Sequence, residues 1–284
     1  MLKGYAEAIK PERAFFNIMM TAAGLLFATR WHVSWAVTLA TIAGTSLLVM
    51  SGCLANNITD RRLDATMPRT KKRASASGII SVQVLVLLAA IFGIVGLGIL
   101  AVWVNVLTAL LGVLAYFDYV VLYAWTKRTT PLSTLAGTPA GALPLAAGYT
   151  AITGHFNMIA LVLSLVMVFW QMVHFYAIGI FRRNDYRAGN LPIWPVRYGV
   201  RNTQAWMLVF TLLYIAAIFW LAAIGHTGRI FAVVVGVMGL YWLWLGIKGF
   251  RLQEPKKWAR GMFGFSLTTL LVFCACLTLS PILV

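Results

Sequence analysis

Asn56-Asn57-Ile58-Thr59-Asp60-Arg61-Arg62-Leu63-Asp64-Ala65-Thr66-Met67-Pro68-Arg69-Thr70-Lys71-Lys72-Arg73 gathers two of the chain's seven acids and six of its 23 Lys and Arg residues. Asn56, Asp60 and Asp64 recur every four residues. On a helix each such step turns about 400°, so the three side chains drift by only about 80° and share one face. Two bare carboxylates one turn apart repel each other. A divalent cation between them would reverse that, and hard oxygen ligands suit Mg²⁺, which completes its shell with water and substrate phosphates. Without the metal, removing one of the two charges is expected to leave stability unchanged or slightly raised. The neighbouring Arg61, Arg62, Arg69, Lys71, Lys72 and Arg73 complete the pattern of a site for a metal-bound polyphosphate. The competing reading is a solvated helix end followed by a loop of anchoring charges.

Outside this stretch the chain is apolar: 61% of its 284 residues are hydrophobic and only 11% are charged. That composition belongs to a polytopic, all-α membrane protein. The net charge of +16 is therefore an orientation signal and not a nucleic-acid footprint. Cys53, Cys274 and Cys276 lie in or near apolar runs, which suggests no disulfide framework. Lys3, Lys10, Pro11, Glu12 and Arg13 precede a full-length first span, so no cleavable leader is expected.

With about 20 apolar residues per crossing, nine spans are expected, at about 14–30, 35–55, 78–98, 104–124, 132–153, 157–180, 203–224, 230–250 and 261–283. The run 78–125 is split near Trp103 and Asn105, because one helix of that length would overshoot the hydrocarbon core about twofold. With loops assigned alternately to two sides, 21 of the 23 Lys and Arg fall on the side of the N-terminus, and only Arg30 and Arg229 fall opposite. The expectation is a cytoplasmic N-terminus and, with an odd number of crossings, an external C-terminus. Residues 1–284 then form one domain, a bundle of nine transmembrane helices around a cavity open to the cytoplasmic side.

Further candidates lie on that side. After span six, Asp185 sits in a basic loop with Arg182, Arg183 and Arg187. It reads as a further metal ligand or as a local ion pair with Arg182 or Arg183. Lys127 and Arg128 follow span four, fit either to bind phosphate or to anchor the span. Span six carries Trp170-Gln171-Met172-Val173-His174. Such polar groups inside a span usually face a cavity, and the alternative for His174 is an interhelical hydrogen bond. Three of the four His residues, His32, His155 and His226, fall at or near outer loops, where no catalytic pattern joins them.

The run Asn56-Asn57-x-x-Asp60-Arg61-x-x-Asp64-x-x-Met67-x-Arg69-Thr70-x-x-Arg73, preceded by Ser51-Gly52-Cys53, resembles the first motif of the haem O synthase branch of the UbiA-type intramembrane prenyltransferases. Lys10-Pro11 with Asn17, Tyr123 with Lys127-Arg128-x-Thr130, Trp170-Gln171-Met172-x-His174-Phe175 and Asp185-Tyr186-x-Ala188-Gly189-x-x-Pro192 match further signatures in order. The resemblance covers residues 9 to 200; beyond them only hydropathy matches. The chain departs from the pattern at Ala65, Ala74, Asp118, Ser133 and Leu145, none of them a proposed metal ligand.

The resemblance implies farnesyl transfer from farnesyl diphosphate to a vinyl group of haem b, with addition of water, giving haem O for terminal oxidases. It implies Mg²⁺ held by Asn56, Asp60, Asp64 and Asp185, the three acids being catalytic. Arg69, Arg73, Lys127, Arg128 and Arg182 would neutralise the departing diphosphate. Asn17, Tyr123 and Tyr186 would contact the prenyl cation, and His174 and Trp170 the haem. The implied setting is a bacterial inner membrane, with haem A synthase or oxidase assembly proteins as candidate partners. Two rivals remain at this stage, a quinone-precursor acceptor and a haem carrier without catalysis.

Overall fold

A computed structural model describes residues 2–67, 70–224 and 227–282. Arg69, expected on the diphosphate, and His226, expected at an outer loop, lie outside the described residues. In chain order the helices are α1 (Leu2–Ile9), α2 (Pro11–Thr29), α3 (Trp35–Thr66), α4 (Val82–Trp103), α5 (Val106–Phe117), a π-turn (Asp118–Leu122), α6 (Tyr123–Thr129), α7 (Ser133–Ala136), α8 (Thr138–Thr153), α9 (Met158–Phe181), α10 (Arg183–Ala188), α11 (Trp194–Arg197), α12 (Gly199–Ala223), α13 (Arg229–Gly249) and α14 (Pro255–Leu279). Among the described residues there is no strand.

Seven of these segments are long and apolar enough to cross a membrane: α3, α4, the continuous stretch Val106–Thr129, α9, α12, α13 and α14. The other two expected spans take shorter forms. The first is the apolar segment Ala14–Thr29. The expected span 132–153 is not one helix: Gly137 separates α7 from α8, whose first turn carries Pro139 and whose interior carries Pro144. Proline lacks the amide hydrogen that would continue the helical ladder backwards, so the break falls where the sequence places it.

The division of the run 78–125 falls where length demanded it. Val104 leaves the helical region, and the Asn105 side chain caps α5 by accepting from the Thr108 amide at 2.8 Å. The Asn105 amide group donates in turn to the Thr150 carbonyl at 3.0 Å, so one residue both ends a crossing and ties it to α8. Hydroxyl groups inside α3 satisfy themselves on the preceding turn: Thr41, Thr45 and Ser46 donate to the carbonyls of Val37, Thr41 and Ile42.

The core centres on α9, which packs against α8, α12 and α14 and fully buries Leu163, Met167 and Val173. α2 crosses α8 at backbone distance: a Cβ on Gly148 would strike the Thr21 carbonyl and lie 2.9 Å from the Leu25 nitrogen. Membrane helices have no water to expel from one another, so small residues that let backbones meet supply much of the packing. The outer surfaces of α4 and α5 stay apolar and uncovered, as at Ile94 (73% exposed) and Val102 (76%). Seven such helices with an apolar perimeter make this a multi-pass membrane protein.

Candidate active site

α3 continues for more than two turns beyond the expected end of its span, so Asn56, Asp60 and Asp64 stand on a continuous helix and not on a loop. All three are buried, as the common face predicted. The chain then folds back on them. Thr70 Oγ1 donates to the Asp64 carbonyl at 2.9 Å, and Arg73 Nη1 donates to both Asp64 carboxylate oxygens at 3.0 and 2.8 Å. The loop that follows the motif thereby holds one carboxylate by a charge-assisted fork.

Asp60 is held from across the bundle. Lys127, 5% exposed, forms a tight ion pair with Asp60 Oδ1, and Arg128 reaches the same oxygen at 3.4 Å while donating to the Thr59 carbonyl at 2.5 Å. The π-turn Asp118–Leu122 immediately precedes α6 and sets its rotation, in keeping with the frequent appearance of π-bulges at functional sites. Asp118 itself is buried; its Oδ2 accepts from the Ala140 amide at 3.0 Å, in the first turn of α8. Above the turn, the Tyr123 ring stacks on Tyr119 (6.0 Å between centroids, 7° between planes), and Lys127 Nζ sits 5.2 Å from the Tyr123 centroid.

A fourth cation completes the group. Lys10 has φ 51°, in the left-handed region that a side chain disfavours, and its Nζ donates to Asn56 Oδ1 at 3.2 Å. Lys10 was legible only as part of Lys10-Pro11 and was not among the expected site residues. Tyr119, and Tyr116 whose hydroxyl lies 3.5 Å from Ser51 Oγ, were also missed. The only sequence signal for them is aromatic spacing ahead of Tyr123.

These residues fit a divalent cation bound with a diphosphate. Both cations on Asp60 engage Oδ1, and Oδ2 takes no hydrogen bond among the described residues. Asp64 keeps lone pairs beyond the two that Arg73 occupies. The donor set is all hard oxygen, and Mg²⁺ commonly takes one or two carboxylates with the rest of its shell from phosphate and water. Among the described residues no three His, Cys, Asp or Glu side chains gather closely enough to hold a metal. Asp185 therefore does not join Asp60 and Asp64 in one protein-only ligand set.

Asp185 instead pairs with Arg182 at 3.6 Å, the local ion pair that was its alternative reading. Tyr186 packs with Leu63, Met67, Leu191 and Ile193 where α10 meets the end of α3. Asn17 is half-buried on α2. His174 is buried between α9 and α14, with Nδ1 2.7 Å from Ser266 Oγ, and stacks on Trp170 at 4.8 Å. Trp170 Nε1 donates to the Ser266 carbonyl at 2.8 Å. Gln171 Nε2 donates to the Thr138 carbonyl at 3.2 Å. His174 thus makes the interhelical hydrogen bond that was its alternative reading.

Comparison with known proteins adds relatives. The sequence pattern of the UbiA prenyltransferase family matches residues 17–276. The chain is 38% identical over 270 residues, 95% of this chain and 92% of the relative, to protoheme IX farnesyltransferase 2 of Pseudomonas fluorescens. It is equally similar, over the same shares of the two chains, to protoheme IX farnesyltransferase of Pseudomonas syringae pv. syringae. The fold matches that of a digeranylgeranylglyceryl phosphate synthase with a TM-score of 0.83 at 15% identity, covering 100% of this chain and 99% of that one. It matches a UbiA homologue of Archaeoglobus fulgidus bound to GPP and Mg²⁺ with a TM-score of 0.72 at 12% identity, covering 96% and 99%. The family pattern and the curated relatives agree over almost the entire length, and the chain belongs to the UbiA prenyltransferase family.

Proposed function

We propose that this protein transfers the farnesyl group of farnesyl diphosphate to a vinyl group of haem b, with addition of water, giving haem O and diphosphate. The carrying observation is the cradle of Asn56, Asp60 and Asp64, in which one carboxylate oxygen stays open amid Lys10, Arg73, Lys127 and Arg128. The names of the 38%-identical relatives supply the acceptor.

Bound Mg²⁺ would supply positive charge to the diphosphate as the allylic C–O bond breaks. Asn56, Asp60 and Asp64 would hold it, and Asp185, the further ligand that the resemblance implies, would have to exchange its ion pair with Arg182 to join them. Lys127 and Arg128 neutralise the leaving oxygens, and fixed cations in a site shielded from water do so with little reorganisation. The ring faces of Tyr119 and Tyr123 stabilise the allylic cation. Its C1 forms a bond to the terminal vinyl carbon, the charge passes to the carbon beside the macrocycle, and water adds there with loss of a proton. The apolar helices keep water from the cation until that point.

The setting we propose is a single nine-crossing domain in a bacterial inner membrane. Ala14–Thr29 and α8 serve as the two short crossings, the N-terminus and the cradle face the cytoplasm, and the C-terminus is outside. The segregation of basic residues supports that orientation.

The test is turnover. Purified protein with Mg²⁺, farnesyl diphosphate and haem b should yield a product heavier than haem b by one farnesyl group and one hydroxyl group, read by mass spectrometry, and chelation with EDTA should abolish it. Product formation undiminished by EDTA would remove the metal from the reading. No product from haem b would remove the acceptor.

A further inference from the structure

The stretch that carries Lys127 to the cradle does not reach it as a plain α-helix. Asp118–Leu122 is a π-turn, closed by the Tyr123 amide donating to the Asp118 carbonyl five residues back. Five residues on an α-helix turn about 500°, which would set the side chains of Asp118 and Tyr123 about 140° apart. The wider turn brings them towards one face, and both meet the break between α7 and α8. The Asp118 carboxylate accepts from the Ala140 amide at 3.0 Å. The Tyr123 ring lies against Gly137, where an added Cβ would stand 3.0 Å from Tyr123 Cγ and 3.3 Å from Tyr123 Cβ. Phe117, Val121, Leu122 and Trp125 make up the opposite, exposed face.

Each partner in this junction answers a need of the other. Ala140 lies in the first turn of α8, whose amides have no carbonyl of the same helix to reach. Pro139 has no amide to satisfy, and Gly137, at the N-cap, has no side chain to accept one. A carboxylate is a strong acceptor for such an amide and is favoured at a helix N-terminus. Asp118 in turn is buried within the membrane-crossing stretch Val106–Thr129, where an acid without such a bond would be costly. A π-turn holds one residue more than the α-helical turn it replaces, so all that follows it is rotated by about 100°. In unbroken α-register Lys127 would swing off Asp60, and Arg128 off the Thr59 carbonyl, the contacts that now hold both in the cradle.

We propose that Asp118 is a positioning residue for the departure of diphosphate. By clamping the π-turn to the open first turn of α8 it fixes the rotation of α6, and so aims Tyr123 and Lys127 into the Asp60 cradle. It acts through those two side chains. The assignment rests on the cradle being the diphosphate site. Asp118 is a position at which the chain departs from the family pattern, so the shared motifs do not account for the acid.

The test uses full-length protein in detergent and two readouts: Mg²⁺-dependent binding of inorganic diphosphate, which needs no acceptor, and turnover of farnesyl diphosphate with haem b. Asp118→Asn keeps an oxygen that accepts from Ala140 and should stay close to wild type in both. Asp118→Leu keeps the bulk and loses the acceptor. It should lower kcat and diphosphate affinity by about tenfold or more each, as when a fixed charge is moved away from a leaving group. Removing the exposed Val121 in the Asp118→Leu background takes out the extra residue of the turn, returns Lys127 to its face in plain α-register and should recover most of both losses. An acid with a merely structural role would gain nothing from a shortened helix. Wild-type behaviour in Asp118→Leu, equal loss in Asp118→Asn, or no recovery on removal of Val121 would each overturn the proposal. If Asp118→Leu alone does not fold, recovery of folded, diphosphate-binding protein on removal of Val121 decides the same question. Wild type that binds diphosphate but makes no product from haem b would overturn the acceptor reading and leave the clamp to be judged by binding. Wild type that binds no diphosphate would overturn both.

Discussion

Asp60 has two tasks in this structure, and one substitution separates them. Its Oδ1 pairs with buried Lys127, and its Oδ2 is the atom we propose for the metal. Asp60→Asn should lower turnover by more than tenfold, at least about 1.4 kcal/mol of transition-state stabilisation, and abolish the Mg²⁺ dependence of diphosphate binding. Stability does not follow the expectation drawn from carboxylate repulsion. Each acid already has a cation, so neutralising Asp60 relieves little and strips Lys127 of its partner. We expect a loss of about 1–3 kcal/mol, the usual range for a buried group deprived of a charged hydrogen-bond partner. Adding Lys127→Met should restore most of that stability and none of the activity, read by thermal unfolding in detergent alongside turnover. Full stability in Asp60→Asn alone would contradict the pairing.

Among the elements, α8 is the one on which the site leans without supplying a reacting group. Asp118 caps its first turn from the π-turn, Gln171 packs where a Cβ on Gly141 would stand and donates to the Thr138 carbonyl, and Gly148 admits α2. The Gly148 contact is backbone against backbone, so neither side can yield by changing a rotamer. Gly148→Ala should therefore cost about 1–3 kcal/mol and lower activity by displacing α2, the helix that follows Lys10. Gly98→Ala on α4 is the matched control: nothing lies within 4 Å of the added Cβ, and better helix propensity should leave the melting temperature unchanged or slightly raised. Equal effects from the two would show that propensity, and not the α2–α8 crossing, governs stability.

At the scale of the whole molecule the orientation is open to direct measurement. Gln253, between α13 and α14, and His155, between α8 and α9, are both exposed. On a background with the native cysteines replaced, Gln253→Cys in intact cells should react only with membrane-permeant maleimides. His155→Cys should react with impermeant ones too. Both reacting from the same side would refute the proposed nine-crossing topology. The apolar perimeter of α4 and α5 predicts in addition that the fold depends on a lipid or detergent sheath over those faces.

The sequence by itself determined the helical membrane class, the place of the break at Asn105 and the common face of Asn56, Asp60 and Asp64. Each follows from a local rule: hydropathy over about 20 residues, helix length against the thickness of the hydrocarbon core, or the helical period. It did not determine partners. Lys127 lies 67 residues from Asp60 and Ser266 lies 92 from His174, and no local period joins either pair. Only tertiary packing decided that Asp60 and Asp64 stand already paired with cations, and that Lys256 and Arg260 share a cleft with Asp185. Charge pairing depends on distance in space, and in a bundle that distance is set by which helices cross. Those crossings follow from where glycines let backbones meet and where prolines interrupt a span.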